Sequence, residues 1–135
     1  MMTDLRPTIS CVLETVLYVS DLERSERFYC DVLGLRLMGK ESGRSLFFRA
    51  GSSVFLLFMA EVTRRGDSLP AHGAVGPVHS CFLVPEAEYE QWKEYLPSRG
   101  VTILQEVEWQ RGRSFYFQDP DGNVLEIANA DFWPN

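Results

Sequence analysis

The apolar pattern of this chain runs through one series of elements twice, with a stretch of no periodicity between the two runs. Residues 11–20, CVLETVLYVS, have the β-branched and aromatic content of a strand. Asp21 stands where a helix N-cap belongs, and 22–33 sets Phe28 against Val32 and Tyr29 against Leu33 at helical spacing, ending at Gly34. Strands are predicted at 35–40, 45–50 and 53–60, broken at Ser42-Gly43 and Gly51-Ser52. Residues 61–78 contain Gly66, Pro70, Gly73, Gly76 and Pro77, the composition of a linker or a functional lid. The pattern then restarts with a strand at 78–84 and a helix at 86–98 that ends by Gly100. Strand candidates follow at 101–108, 113–118 and 123–128, the last two flanking the turn signal Asp119-Pro120-Asp121-Gly122.

The predicted fold is therefore α+β, with two βαβββ modules whose curved sheets surround a cup-shaped cleft. The modules are expected at 10–60 and 78–130, joined by a linker or lid at 61–77, in one domain over 1–135. An offset of 65 places Glu14 on His79, Leu17 on Phe82 and Val19 on Val84. Few identities support the repeat, and the matching order of elements carries it.

Composition narrows the function classes. With 45% hydrophobic residues the chain has enough apolar surface for a core. A net charge of −6, without a basic patch, argues against nucleic acid and anionic membranes as partners. No apolar run approaches the roughly 18 residues of a membrane span, and MMTDLRPTIS has no signal-peptide core. Cys11, Cys30 and Cys81 have no framework spacing and read as reduced thiols, so the expected location is cytoplasmic.

Polar residues inside apolar strands mark the candidate chemistry. Glu14 interrupts the first strand, His79 opens the first strand of the second module, and Glu126 lies between Leu125 and Ile127 in the last strand. A buried carboxylate is costly unless paired or bound to a cation. One imidazole and two carboxylates can hold a divalent ion (Mn, Fe, Co, Ni or Zn) with positions left open for substrate or water. Their wide spacing matches no local metal motif, and on spacing alone the simpler reading is edge or cleft positions for Glu14 and Glu126 and a strand cap for His79. Arg49 is a candidate for a substrate carboxylate, and Phe47, Phe58, Trp109 and Tyr116 for an apolar pocket. Ser114 and Tyr116 share one face. Arg111 and Arg113 could form an anion site, and His72, in the long connection, could be a mobile acid or base. Trp92, Tyr95, Phe28, Tyr29 and Cys81 read as packing.

The stretch from Glu14 to Ser25, with Phe28-Tyr29 and Leu33-Gly34-Leu35, resembles the opening of the vicinal oxygen chelate superfamily. The segment from Ser114 to Ile127 resembles its closing hairpin. That superfamily includes glyoxalase I, bleomycin-resistance proteins, fosfomycin-resistance enzymes, extradiol dioxygenases and methylmalonyl-CoA epimerase. The resemblance covers about residues 10–130 and selects no single activity.

The resemblance implies metal ligands at Glu14, His79 and Glu126, where the first is usually His. A fourth ligand, present in glyoxalase I-like members, falls near Leu56, which cannot ligate. That departure argues against ordinary glyoxalase I and the epimerase. Glu14 breaks the two-His, one-carboxylate set of an iron dioxygenase. Fosfomycin-type thiol transfer would retain three ligands along with Ser114 and Tyr116, although that group normally has His at position 14 and further basic residues after Glu126. The implied function is a divalent-metal-dependent enzyme whose small substrate chelates the ion through adjacent oxygens. Glu14 or Glu126 would move protons, and Arg49, Phe58, Trp109, Ser114 and Tyr116 would line the substrate site. Lyase or isomerase chemistry, thiol transfer and ring cleavage stay open. The alternative is a metal-free sequestration protein of the bleomycin-resistance type. The resemblance implies a homodimer, since members build each cleft from two modules, in some cases from different chains; in that arrangement Glu14 of one subunit would meet His79 and Glu126 of the other.

Overall fold

Two four-stranded sheets share one strand order. The computed structural model describes residues 6–66 and 68–134. The first sheet contains β1 (Glu14–Val19), β2 (Arg36–Glu41), β3 (Ser45–Ala50) and β4 (Ser53–Met59) in the order β1-β4-β3-β2. The second contains β5 (His79–Leu83), β6 (Gln105–Trp109), β7 (Gly112–Gln118) and β8 (Val124–Ala128) in the order β5-β8-β7-β6. In each sheet the first strand pairs in parallel with the last, and the other pairs are antiparallel. The expected α+β fold of two βαβββ units is what the chain adopts. Glu14 and His79 open equivalent strands, as the offset of 65 requires.

Period-two patterning assigns one face of each sheet to the core. Leu17, Leu46, Phe48, Phe55 and Leu57 of the first sheet are buried with Phe28 and Tyr29. Phe115, Phe117, Leu125 and Ile127 of the second are buried with Tyr89 and Leu96. All belong to one apolar cluster, and Phe55 meets Phe82 across the modules at a ring-centroid distance of 5.3 Å. Glu14, Val16 and Tyr18, and likewise His79 and Cys81, occupy the opposite face of their strands.

The first helix departs from a regular α-helix. Asp21 caps α1 (Leu22–Arg27), accepting from the Arg24 N–H at 3.0 Å, but Phe28–Val32 continues as a π-helix. The wider turn delivers two successive aromatic residues, Phe28 and Tyr29, into the core. After Met59 the chain turns into α2 (Ala60–Thr63), which takes the last residue of the strand expected at 53–60 and the first three of the stretch expected to lack regular structure. A 3₁₀ turn at Glu86–Glu88 precedes α3 (Tyr89–Ser98). Val101 and Ile103 pack against the core without strand partners, so the strand expected from 101 starts at Gln105. Likewise the strand expected from residue 11 starts at Glu14.

The closing turn joins the modules. Asp119, 5% exposed, accepts the Asp121 and Asn123 N–H groups through Oδ1, both at 2.9 Å. Its Oδ2 accepts from the Tyr29 hydroxyl at 2.8 Å and from Asn123 Nδ2 at 2.9 Å. Asn123 Nδ2 also donates to the Tyr18 carbonyl at 3.0 Å. A buried carboxylate is tolerable here because four donors satisfy it. The second sheet's last strand is thereby held against the first module.

Candidate metal centre

Glu126 lies in a row across three strands. It is the register partner of Cys81 on β5 and of Tyr116 on β7. Leu125 and Ile127 on either side point into the core, so alternation alone puts Glu126 on the opposite face. Its side chain is 7% exposed and that of His79 is 49% exposed. His79 Nε2 lies 3.2 Å from Glu126 Oε1, while Nδ1 lies 2.8 Å from the Val124 carbonyl oxygen.

These two contacts define what the pair can hold. A carbonyl only accepts, so His79 Nδ1 carries the proton. In the neutral ring Nε2 then presents a lone pair to a carboxylate oxygen. Two electron-pair donors facing each other require either a second imidazole proton or a cation between them. A histidine fixed through its other nitrogen beside a carboxylate is the usual architecture of a divalent-metal site. The donor set therefore fits a divalent ion.

The surroundings of Glu126 are protonated. Burial first, and then Glu126, push the Cys81 thiol up to about 12. The Tyr116 phenol is also raised, mainly by burial and then by Glu126. The Tyr116 ring centroid lies 6.0 Å from that of His79. Both neighbours are thus neutral hydrogen-bond donors at ordinary pH. Cys81, read from sequence as packing, is exposed at this face instead. Its spacing of two from His79 was the signal that placed it there.

The other sequence candidates are dispersed. Ser114 is fully buried and accepts from Trp109 Nε1 at 2.8 Å, while the Trp109 ring stacks 5.4 Å from Phe132. Arg49 belongs to the first sheet, in the register row of Glu14 and Val54, and its Nη1 lies 3.5 Å from the Ser53 carbonyl. Phe58 is on that sheet too, with its ring 5.0 Å from His72. Arg113 pairs with Glu90 at 2.9 Å and lies over the Tyr89 ring, a structural position. Glu14 is exposed at the start of β1. Among the described residues no three His, Cys, Asp or Glu side chains converge to hold an ion, so within one chain Glu14 does not complete the His79–Glu126 pair.

Paired βαβββ modules with a histidine–carboxylate pair on the second sheet define a class of fold and site. The chain belongs to the Glyoxalase/Bleomycin resistance protein/Dioxygenase superfamily, whose family model matches residues 12–127. It is 29% identical to the metallothiol transferase FosB of Staphylococcus saprophyticus over 111 residues, 81% of this chain and 70% of that protein. It is 32% identical to the glutathione transferase FosA of Serratia marcescens, covering 82% of this chain and 74% of that one. The crystal structure of a lactoylglutathione lyase from Agrobacterium tumefaciens superposes with a TM-score of 0.88 at 34% identity, covering 96% of this chain and all of that one.

Proposed function

We propose that the protein is a divalent-metal-dependent enzyme acting on a small molecule that presents adjacent oxygens to the ion. The observation that carries this reading is the His79–Glu126 contact, an imidazole held at Nδ1 by a carbonyl with its Nε2 3.2 Å from a buried carboxylate. A bound cation would act as a Lewis acid on oxygen. His79 and Glu126 would hold it. Tyr116, a protonated phenol in the next strand, would donate to a developing oxyanion. Glu14 of a second copy would be the third ligand and, with Glu126, a carboxylate able to move a proton.

Because Glu14 does not meet the pair in one chain, the reading includes a homodimer in which Glu14 of a second copy completes the centre. Ile9, Val12 and Leu13, which lead into β1, are 92%, 80% and 65% exposed, an apolar stretch suited to a protein partner. Relatives named for thiol, glutathione and lactoylglutathione chemistry support a substrate or co-substrate that carries a thiol or thioester. Arg49, Phe58, Trp109 and Tyr116 would contact the substrate, with Ser114 holding the Trp109 ring in place. No helix among the described residues is long and apolar enough to cross a membrane. Free Cys11, Cys30 and Cys81 suit the cytoplasm.

Calorimetric titration of chelator-stripped protein with Mn²⁺, Co²⁺, Ni²⁺ and Zn²⁺ tests the reading. Micromolar binding to wild type, lost in His79→Ala and Glu126→Ala, is expected. Absence of binding to wild type overturns it and makes metal-free sequestration of an aromatic ligand the reading to test.

A further inference from the structure

The long connection between the modules places a histidine on the first sheet. His72 Nδ1 lies 2.7 Å from the Tyr18 hydroxyl, and the His72 ring meets Phe58 edge-on at 5.0 Å. Tyr18 and Phe58 are register partners on β1 and β4, on the face opposite the core. Glu14 lies on the same face of β1, two side chains along. The imidazole therefore packs on the non-core face of the first sheet, the face that carries Glu14, although its residue lies outside both modules.

The segment is shaped for this placement. The His72 N–H donates to the Thr63 carbonyl at 3.1 Å, and Thr63 is 2% exposed. A Cβ on Gly73 would sit 2.5 Å from Arg64 Cγ, and one on Gly66 would sit 2.8 Å from Ala71 Cβ. Gly66 also has φ +64, a conformation that favours glycine. Two close approaches and one backbone bond thus fold the connection back on α2, with His72 between them.

Tyr18 sets the chemistry of the ring. Burial raises its phenol, which stays protonated and can donate. The hydroxyl can donate to Nδ1 or accept from it, and when it donates the neutral ring carries its proton on Nε2. For Nε2 no protein partner is recorded among the described residues. The same face of the sheet carries one cation, Arg49, and one carboxylate, Glu14, in a single register row.

We propose that His72 is an oxygen-binding residue of the cleft, held by Tyr18 as the Nε2–H tautomer and donating to a carboxylate or phosphate oxygen of the bound small molecule. The assignment rests on the dimer proposed above, in which the Glu14 face of one subunit meets the His79–Glu126 pair of the other. There His72 would add a donor on the opposite side of the substrate from that pair. Tyr18 is a positioning residue that acts through His72.

The chain has two histidines, so ¹⁵N-histidine labelling of the full-length protein reads two imidazoles and His79→Gln assigns them. In wild type His72 is expected as one tautomer with Nε2 protonated, and Tyr18→Phe is expected to release it toward the mixture seen in solution. Acetate and inorganic phosphate serve as probes, their separate arms distinguishing a carboxylate from a phosphate site. A saturable shift of the His72 Nε2–H with either probe, weakened about tenfold by Tyr18→Phe, is the expected result. A His72 spectrum identical in wild type and Tyr18→Phe, or a ring indifferent to both anions, overturns the assignment. Metal titration of the same samples separates the two proposals. An indifferent His72 with intact metal binding refutes this one alone, and absent metal binding refutes the metal reading whatever the imidazole shows.

Discussion

The two modules share a strand order and a register but differ in one row of side chains. In module one the row across β1, β4 and β3 is Val16, Leu56 and Phe47. In module two the equivalent row across β5, β8 and β7 is Cys81, Glu126 and Tyr116. The strand-opening residues differ as well, Glu14 in one and His79 in the other. The backbone pattern that supports a ligand set is thus present twice and carries the pair once. A duplicated scaffold lets one copy keep an apolar wall while the other accumulates the costly polar groups.

The strongest way to break this comparison is to convert module two's row into module one's. Glu126→Leu is expected to lower divalent-metal affinity by at least about 100-fold, since a lost ligand costs more than a lost supporting contact. Its folding stability should equal or exceed that of the wild type, because a buried carboxylate is replaced by an apolar side chain. Calorimetry and urea unfolding read the two effects. The reverse exchange, Leu56→Glu, places a carboxylate between Val16 and Phe47 with no histidine beside it. It should cost about 3 kcal/mol in urea unfolding and create no metal site.

A smaller effect tests the joint between the modules. Tyr29→Phe removes one donor from buried Asp119 and should cost about 1–2 kcal/mol, read by the urea midpoint at unchanged slope.

The smallest effect lies on the outer side of module two. Glu106 accepts from Lys93 at 2.9 Å and from Tyr89 at 2.8 Å, and the Lys93 bond is the main reason its carboxyl is held below the usual value. A carboxylate whose folded pKa is depressed contributes stability above its unfolded pKa and loses it as pH falls through the folded one. Glu106→Gln should therefore cost less than about 1 kcal/mol at neutral pH, given its exposure to solvent. The difference from wild type should be full above the ordinary carboxylate pKa of about 4.3 and should disappear as pH falls through the depressed folded value.

Much of this was legible in the sequence because period two and period 3.6 are strong signals in Leu17, Phe55, Phe115 and Leu125. Glu126 and His79 stood out because a charge or an imidazole interrupts an apolar strand, although spacing alone did not separate a ligand from an edge or cleft residue. Strand partners were harder to read. Val101 and Ile103 alternate as a strand does, yet only Leu104, donating to the Tyr116 carbonyl at 2.8 Å, reaches the ladder. The π-turn at Phe28–Val32 carries no local sequence signal. Ser114 looked like a pocket hydroxyl from its parity, but the Trp109 indole covers it. The docking of His72 on Tyr18 joins residues 54 apart and depends on the path of the connection, which neither local pattern nor propensity encodes.

The central claim is that His79, through Nε2, and Glu126 would hold a divalent cation, a pair that module one does not carry. Proton NMR of the Co²⁺-loaded protein tests it most directly. Because Nδ1–H is tied to the Val124 carbonyl, ligation through Nε2 predicts a strongly shifted, exchangeable imidazole N–H signal that disappears in His79→Gln. A Co²⁺-loaded protein whose His79 ring resonates at its ordinary diamagnetic position would contradict the account.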